Sequence, residues 1–127
     1  MNDGVPEPLH LGPVTLERLK AFAAASGDYN PIHVSAEAAR NAGLAGPIVH
    51  GMWIGVAIET YLAKLEGARI SSLSLQFVRP LLAGSCLRIE GRPVGRKDSP
   101  LHMRILCRDD QGVLVAVADA QTSASSE

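Results

Sequence analysis

From Ser72 onward the chain alternates. Leu73, Leu75 and Phe77 share one face, and Ser72, Ser74 and Gln76 share the other. Leu87 and Ile89 oppose Arg88 and Glu90. Leu101, Met103, Ile105 and Cys107 oppose His102, Arg104 and Arg108. Val113, Val115 and Val117 form a final apolar row, with Ala116 and Ala118 opposite. A period of two over four segments predicts four strands, each with one buried face. Turns are marked at Arg79-Pro80, Ala83-Gly84, Lys97-Asp98-Ser99-Pro100 and Asp109-Asp110-Gln111-Gly112. Leu9–Val14 offers a fifth strand.

The front half has helical spacing instead. Thr15 suits an N-cap, Glu17 falls in the first turn where the helix dipole favours a carboxylate, and Leu16, Leu19, Phe22 and Ala23 follow at helical intervals. Gly27 is a natural stop. Ser35 can cap a short helix, Ala36 to Ala42, ending at Gly43. Residues 44–50 contain Gly46 and Pro47 and read as a loop. A third helix, Met52 to Ala63, has only Glu59, Thr60 and the Tyr61 hydroxyl as polar groups. A helix apolar nearly all round is expected to be enclosed, and this one is too short for a bilayer. Helices first and strands after point to an α+β domain. An antiparallel sheet curved around one central apolar helix buries both, which is the single hot-dog arrangement.

Composition narrows the partners. At 127 residues the prior is one domain, 1–127, and 46% apolar with 20% charged residues excludes a disordered chain. Twelve basic against thirteen acidic residues leave no basic stripe for a nucleic acid. No apolar run reaches the roughly 18 residues of a membrane span. Met1 to His10 is acidic and Pro-bearing, unlike a secretory signal. Cys86 and Cys107 form no CxxC, so two reduced thiols in a cytoplasmic protein are expected. The Ser/Ala-rich tail, from about residue 120 (Gln121–Glu127), is expected to fray.

Two loops carry candidate chemistry. In Gly27-Asp28-Tyr29-Asn30-Pro31-Ile32-His33, Pro31 disfavours an α conformation at Asn30, so Asp28, Asn30 and His33 share an extended or turned segment. One reading is a capped turn with His33 in solvent. The other is a general acid/base pair beside an apolar helix, where burial would raise the carboxylate pKa. The second loop, Pro47-Ile48-Val49-His50-Gly51-Met52, leads into the third helix. The unpaired N–H groups there, with Gly51 admitting a ligand carbonyl, suit an oxyanion hole, or Gly51 simply permits tight packing. His50 either orients the loop or contacts substrate. His10 and His102 read as isolated and solvated. No His/Cys/Asp cluster has metal-ligand spacing. Arg79, Arg92, Arg96 and Lys97 either meet phosphates or keep strand ends soluble. Trp53 reads as core.

The first loop, followed by Gly46-Pro47-Ile48-Val49-His50-Gly51-Met52-Trp53, resembles the MaoC-like family of (R)-specific enoyl-CoA hydratases and hydroxyacyl-thioester dehydratases. The second run looks especially like the MaoC-type domain of large bacterial fatty acid synthases. The resemblance extends from Leu9 to about Thr122. It implies a hot-dog fold paired into a homodimer with one continuous sheet, and an acyl-CoA or acyl-carrier-protein thioester as substrate. It implies Asp28 and His33 as the catalytic pair and Gly51 N–H as the oxyanion donor. Asn30, Pro47, Ile48, His50, Met52 and Glu59 are the supporting or substrate-binding candidates. No metal or redox cofactor is expected. The reaction implied is reversible hydration of a trans-2-enoyl thioester to an (R)-3-hydroxyacyl thioester. One departure is Glu59, where hydratases of this family often carry a small hydroxyl residue eight positions beyond the oxyanion glycine. Either Glu59 meets solvent where the helix emerges, or it borders the acyl tunnel or bonds the catalytic loop. The rival activities are a thioesterase on the same fold and a subunit of a heterodimeric dehydratase.

Overall fold

The computed structural model describes residues 5–65, 68–94 and 102–124. The expected turn Lys97-Asp98-Ser99-Pro100, Arg96 and Leu101 lie outside the described residues, as do residues 1–4 and 125–127. Strands β1 (Leu9–Leu11), β2 (Ala68–Phe77), β3 (Leu87–Val94), β4 (His102–Asp109) and β5 (Leu114–Ala124) form one antiparallel sheet in the order β1-β3-β4-β5-β2. β1 stops before the expected Val14, because Gly12-Pro13 follows and Pro13 has no N–H for the ladder.

Helix α1 (Leu16–Ser26) begins where Thr15 accepts a hydrogen bond from the Arg18 N–H and ends at Gly27, whose φ of 81° is left-handed. A single 3-10 turn, Pro31–His33, leads to α2 (Ala36–Asn41), capped by Ser35. Helix α3 (Gly51–Leu62) lies on the sheet through Ile54, Ala57, Ile58, Tyr61 and Leu62, all buried. Each large aliphatic side chain buried this way contributes about 1.5–3 kcal/mol. The Tyr61 hydroxyl donates to the Pro6 carbonyl at 3.0 Å and accepts from the Gly91 N–H at 2.8 Å. A side chain at position 91 would strike that hydroxyl, so glycine is required there.

Three expectations need correction. First, α3 is not enclosed: Met52 is 60% and Val56 49% exposed, and Glu59, Thr60 and Ala63 also face outward. The sheet covers only one side of the helix, so the second apolar side remains uncovered in the single chain. Second, the core face of β5 is Ala116, Ala118, Ala120 and Thr122, not the valine row. The pairs Ile105↔Ala118 and Met103↔Ala120 put those small residues on the face beneath the helix, where bulk would not fit. Val113 is 38% exposed, and Val115 is buried only because a β-bulge leaves it as the extra residue opposite Cys107/Arg108. Third, Gln121–Ala124 does not fray, because β5 continues there paired with β2, past a β-bulge between Ile70 and Ser72. Trp53 packs on the core, as expected. Both cysteines are free thiols, and burial pushes the Cys107 thiol up to about 12.

Candidate active site

The segment after α1 is a relay of short side-chain turns. Ser26 Oγ accepts from the Asp28 N–H, Asp28 Oδ1 from the Asn30 N–H, and Asn30 Oδ1 from the Ile32 N–H, at 3.2, 3.3 and 3.2 Å. These are the local bonds Asp, Asn and Ser favour outside helices. The loop is therefore capped, as the first reading of the sequence expects, but His33 is not in solvent: it is buried and stands near Asp28.

His33 is 7% exposed and turned inward. Its Nδ1 lies 2.8 Å from the Ile48 carbonyl, and only an N–H can donate there. In the neutral ring this leaves the lone pair on Nε2. That atom is 3.7 Å from Asp28 Oδ2. The gap is too long for a direct hydrogen bond and short enough for one water to reach both groups. The Asp28 side chain is 42% exposed, so the burial expected of this carboxylate is not found in the single chain.

His50 lies beneath this pair, fully buried. Its ring stacks on His33 with centroids 3.8 Å apart and planes 20° apart, and Phe22 meets it edge-on at 5.0 Å. Its Nε2 donates to the Asp28 carbonyl at 3.2 Å, while Nδ1 is buried without a partner. Burial pushes His50 below the usual imidazole range; charge on His33 acts in the same direction, and the bond to Asp28 opposes both.

The Ile48 N–H donates to the Ile32 carbonyl at 3.1 Å, joining the two loops, and the Ala83 N–H donates to the Pro47 carbonyl at 2.8 Å, tying the second loop to the β2–β3 connection. No side chain caps α3, so the first N–H groups, those of Gly51 and Met52, lack an intrahelical acceptor. The fold thus assembles Asp28, Asn30, His33, Pro47, Ile48, His50 and Gly51. Met52 and Glu59 face outward, and no bond joins Glu59 to the catalytic loop. Phe77, read in the sequence only as part of a strand face, covers Gly51: a Cβ on Gly51 would stand 2.8 Å from the ring tip. Only the strand register, which local pattern does not carry, could have revealed it.

Sequence spacing showed no metal cluster, yet ligand atoms of Asp28, His33 and His50 lie within 4.8 Å of one another. The stack does not suit a shared ion. Imidazole lone pairs lie in their ring planes, and two nearly parallel planes cannot both point at one ion about 2.0–2.1 Å away. No described helix is long and apolar enough to cross a membrane.

Residues 6–105 match the family model described as a MaoC-like domain. The chain is 35% identical over 107 residues to a fatty acid synthase beta subunit of Cochliobolus carbonum, covering 80% of this chain and 5% of that protein. It is 39% identical over 69 residues to a mitochondrial 3-hydroxyacyl-[acyl-carrier-protein] dehydratase of Arabidopsis thaliana, covering 54% of this chain and 42% of that one. It superposes on an (R)-hydratase from A. caviae involved in PHA biosynthesis with a TM-score of 0.79 and 25% identity, covering 95% of this chain and 96% of that one.

Proposed function

Because the chain belongs to the MaoC-like domain family, we propose that it reversibly hydrates a trans-2-enoyl thioester to an (R)-3-hydroxyacyl thioester. The observation that carries this is the 3.7 Å gap between His33 Nε2 and Asp28 Oδ2, beside an uncapped helix N-terminus. A water beside that gap hydrogen-bonds to both Nε2 and the carboxylate. One of the two takes a single proton from it as the remaining O–H adds to C3, and the pair returns one proton to C2. Negative charge that builds on the thioester oxygen meets the Gly51 N–H. Dehydration runs the same steps backward. Asn30 fixes the turn, and His50 positions Asp28 through its carbonyl.

The substrate would be an acyl-CoA or acyl-carrier-protein thioester. Glu59 lines the outward groove along α3, where it would set which acyl chains fit. Purified protein should consume the enoyl absorbance of crotonyl-CoA, and Asp28→Asn and His33→Ala should abolish this. Release of free CoA without hydroxyacyl product would instead indicate a thioesterase. An unchanged chain-length preference in Glu59→Ala would remove Glu59 from the acyl groove.

The working form would be a cytoplasmic homodimer. Met52 and Val56 on α3 and Ile70 and Phe77 on edge strand β2 leave an exposed apolar surface of the kind that marks an interface. A second copy would cover it and extend the sheet at β2. Light scattering should report a dimer, and Val56→Asp should reduce it to a monomer.

A further inference from the structure

Two grooves meet at Gly51. One, of about 360 Å³, is lined by Ile48, Gly51, Phe77 and Arg79 among others. The other, of about 350 Å³, follows α3 from Gly51 past Val56 to Glu59 and is also lined by Phe77. The Phe77 ring lies on Gly51 and lines both, so it divides one groove from the other. Both linings are largely apolar, and each contains a single ionisable side chain: Arg79 in the first and Glu59 in the second.

A thioester held by its carbonyl at Gly51 has two arms. The carrier arm, pantetheine, ends in a phosphate whether it belongs to coenzyme A or to a carrier protein. The acyl arm carries no phosphate. A phosphate beside Glu59 would be repelled, whereas one beside a guanidinium gains charge-assisted hydrogen bonds. The Arg79 guanidinium has no ion pair or hydrogen bond with another described residue. Its backbone is held in place: the Val78 and Arg79 N–H groups both donate to the Val115 carbonyl, at 2.8 and 3.2 Å. Pro80 keeps Arg79 extended. The Val49 N–H to Leu81 carbonyl bond, at 2.7 Å, ties this segment to the loop entering α3. Arg79 thus stands two residues beyond Phe77, whose ring lies over Gly51.

We infer that the Phe77–Arg79 groove takes the pantetheine arm and that Arg79 binds its phosphate, which directs the acyl arm into the groove that ends at Glu59. This rests on the placement of the thioester carbonyl at Gly51 proposed above.

Calorimetry with 4′-phosphopantetheine and pantetheine tests it without turnover. The wild type should bind the phosphorylated compound about tenfold more tightly. Arg79→Ala should erase the preference, Arg79→Lys should keep part of it, and Arg92→Ala, which removes a cation from the outer sheet face, should leave it intact. Equal binding of the two compounds by the wild type, or a preference that survives Arg79→Ala, overturns the inference. In kinetics, Arg79→Ala should raise KM about tenfold for both crotonyl-CoA and crotonyl-carrier protein. An effect on the CoA substrate alone would assign Arg79 to the nucleotide phosphates and overturn the pantetheine assignment. If phosphate binding behaves as expected but crotonyl-CoA is never hydrated, the hydratase reading fails and the subsite stands. If hydration proceeds and Arg79→Ala has an unchanged KM, the subsite fails and the hydratase stands.

Discussion

His33 faces Asp28 at 3.7 Å, and His102 faces Asp119 at 3.1 Å. By distance alone the second pair is the better contact. It is also the more heavily engaged one: Asp119 Oδ1 takes both His102 Nε2 and Arg104 Nε, each at 3.1 Å, on the outer sheet face. At the first pair, the imidazole is buried, one nitrogen is pinned by a backbone carbonyl, and the other has a lone pair with no direct partner. A catalytic pair needs that unused capacity beside room for the reacting molecule. The shorter outer pair shares its carboxylate oxygen with Arg104 and lines none of the grooves around Gly51. The difference between the two pairs is therefore one of surroundings, not of residue type.

The largest effect should come from dismantling one pair and sparing the other. His33→Ala or Asp28→Asn should lower kcat by about 10²–10⁴-fold. His102→Ala should leave kcat within about twofold, since an exposed ion pair contributes little even to stability. A loss in His102→Ala as large as in His33→Ala, with both variants folded by circular dichroism, would break the comparison.

A smaller effect should come from the ring beneath the pair. His50→Phe keeps an aromatic ring against His33 but loses the donor to the part-buried Asp28 carbonyl. The expected result is a kcat drop of about 10- to 100-fold with KM nearly unchanged, and partial recovery in His50→Gln, which retains an N–H donor. The pH dependence has a defined sign. The folded state holds His50 below its ordinary value near 6.5, so the unfolded chain binds the proton more readily. That resistance to charging costs stability as pH falls through and below about 6.5. Thermal melts of the wild type should therefore weaken more steeply on acidification than those of His50→Phe. A shift in KM alone would mean that His50 contacts substrate instead of positioning Asp28.

The two candidate loops were legible in the sequence because their geometry is local. The Thr15 cap, the Gly27 stop, the bend enforced by Pro31 and the glycine at the start of α3 each act within a few residues. What stayed hidden depends on register and on the other face of an element. Alanines at 116, 118 and 120 look like weak strand residues until pairing with Met103 and Ile105 sets them under the helix. His50 reaches Asp28 across 22 residues of chain, and Phe77 reaches Gly51 from an edge strand. His102 looked solvated because Asp119 sits on a strand whose pairing no local pattern reports. The all-round apolar character of α3 was visible, but it signals a face still to be covered, not one the chain itself encloses.

The smallest effect sharpens the comparison from the outer side. Burial alone would raise the Asp119 pKa, but hydrogen bonds from Arg104 and His102 outweigh it and hold the carboxyl below the usual range. A carboxylate held low in the folded state adds stability above its unfolded value, near 3.9, and loses it as pH falls through the folded value. Asp119→Asn should therefore melt below the wild type at neutral pH, by no more than a few degrees for a half-exposed pair. The gap should close as pH drops below about 4, and activity should stay near the wild-type level throughout. A gap that widened on acidification would mean that the carboxylate was opposed by its neighbours. A large loss of activity would mean that the two faces of the sheet are coupled, and that the outer pair does more than join strands β4 and β5.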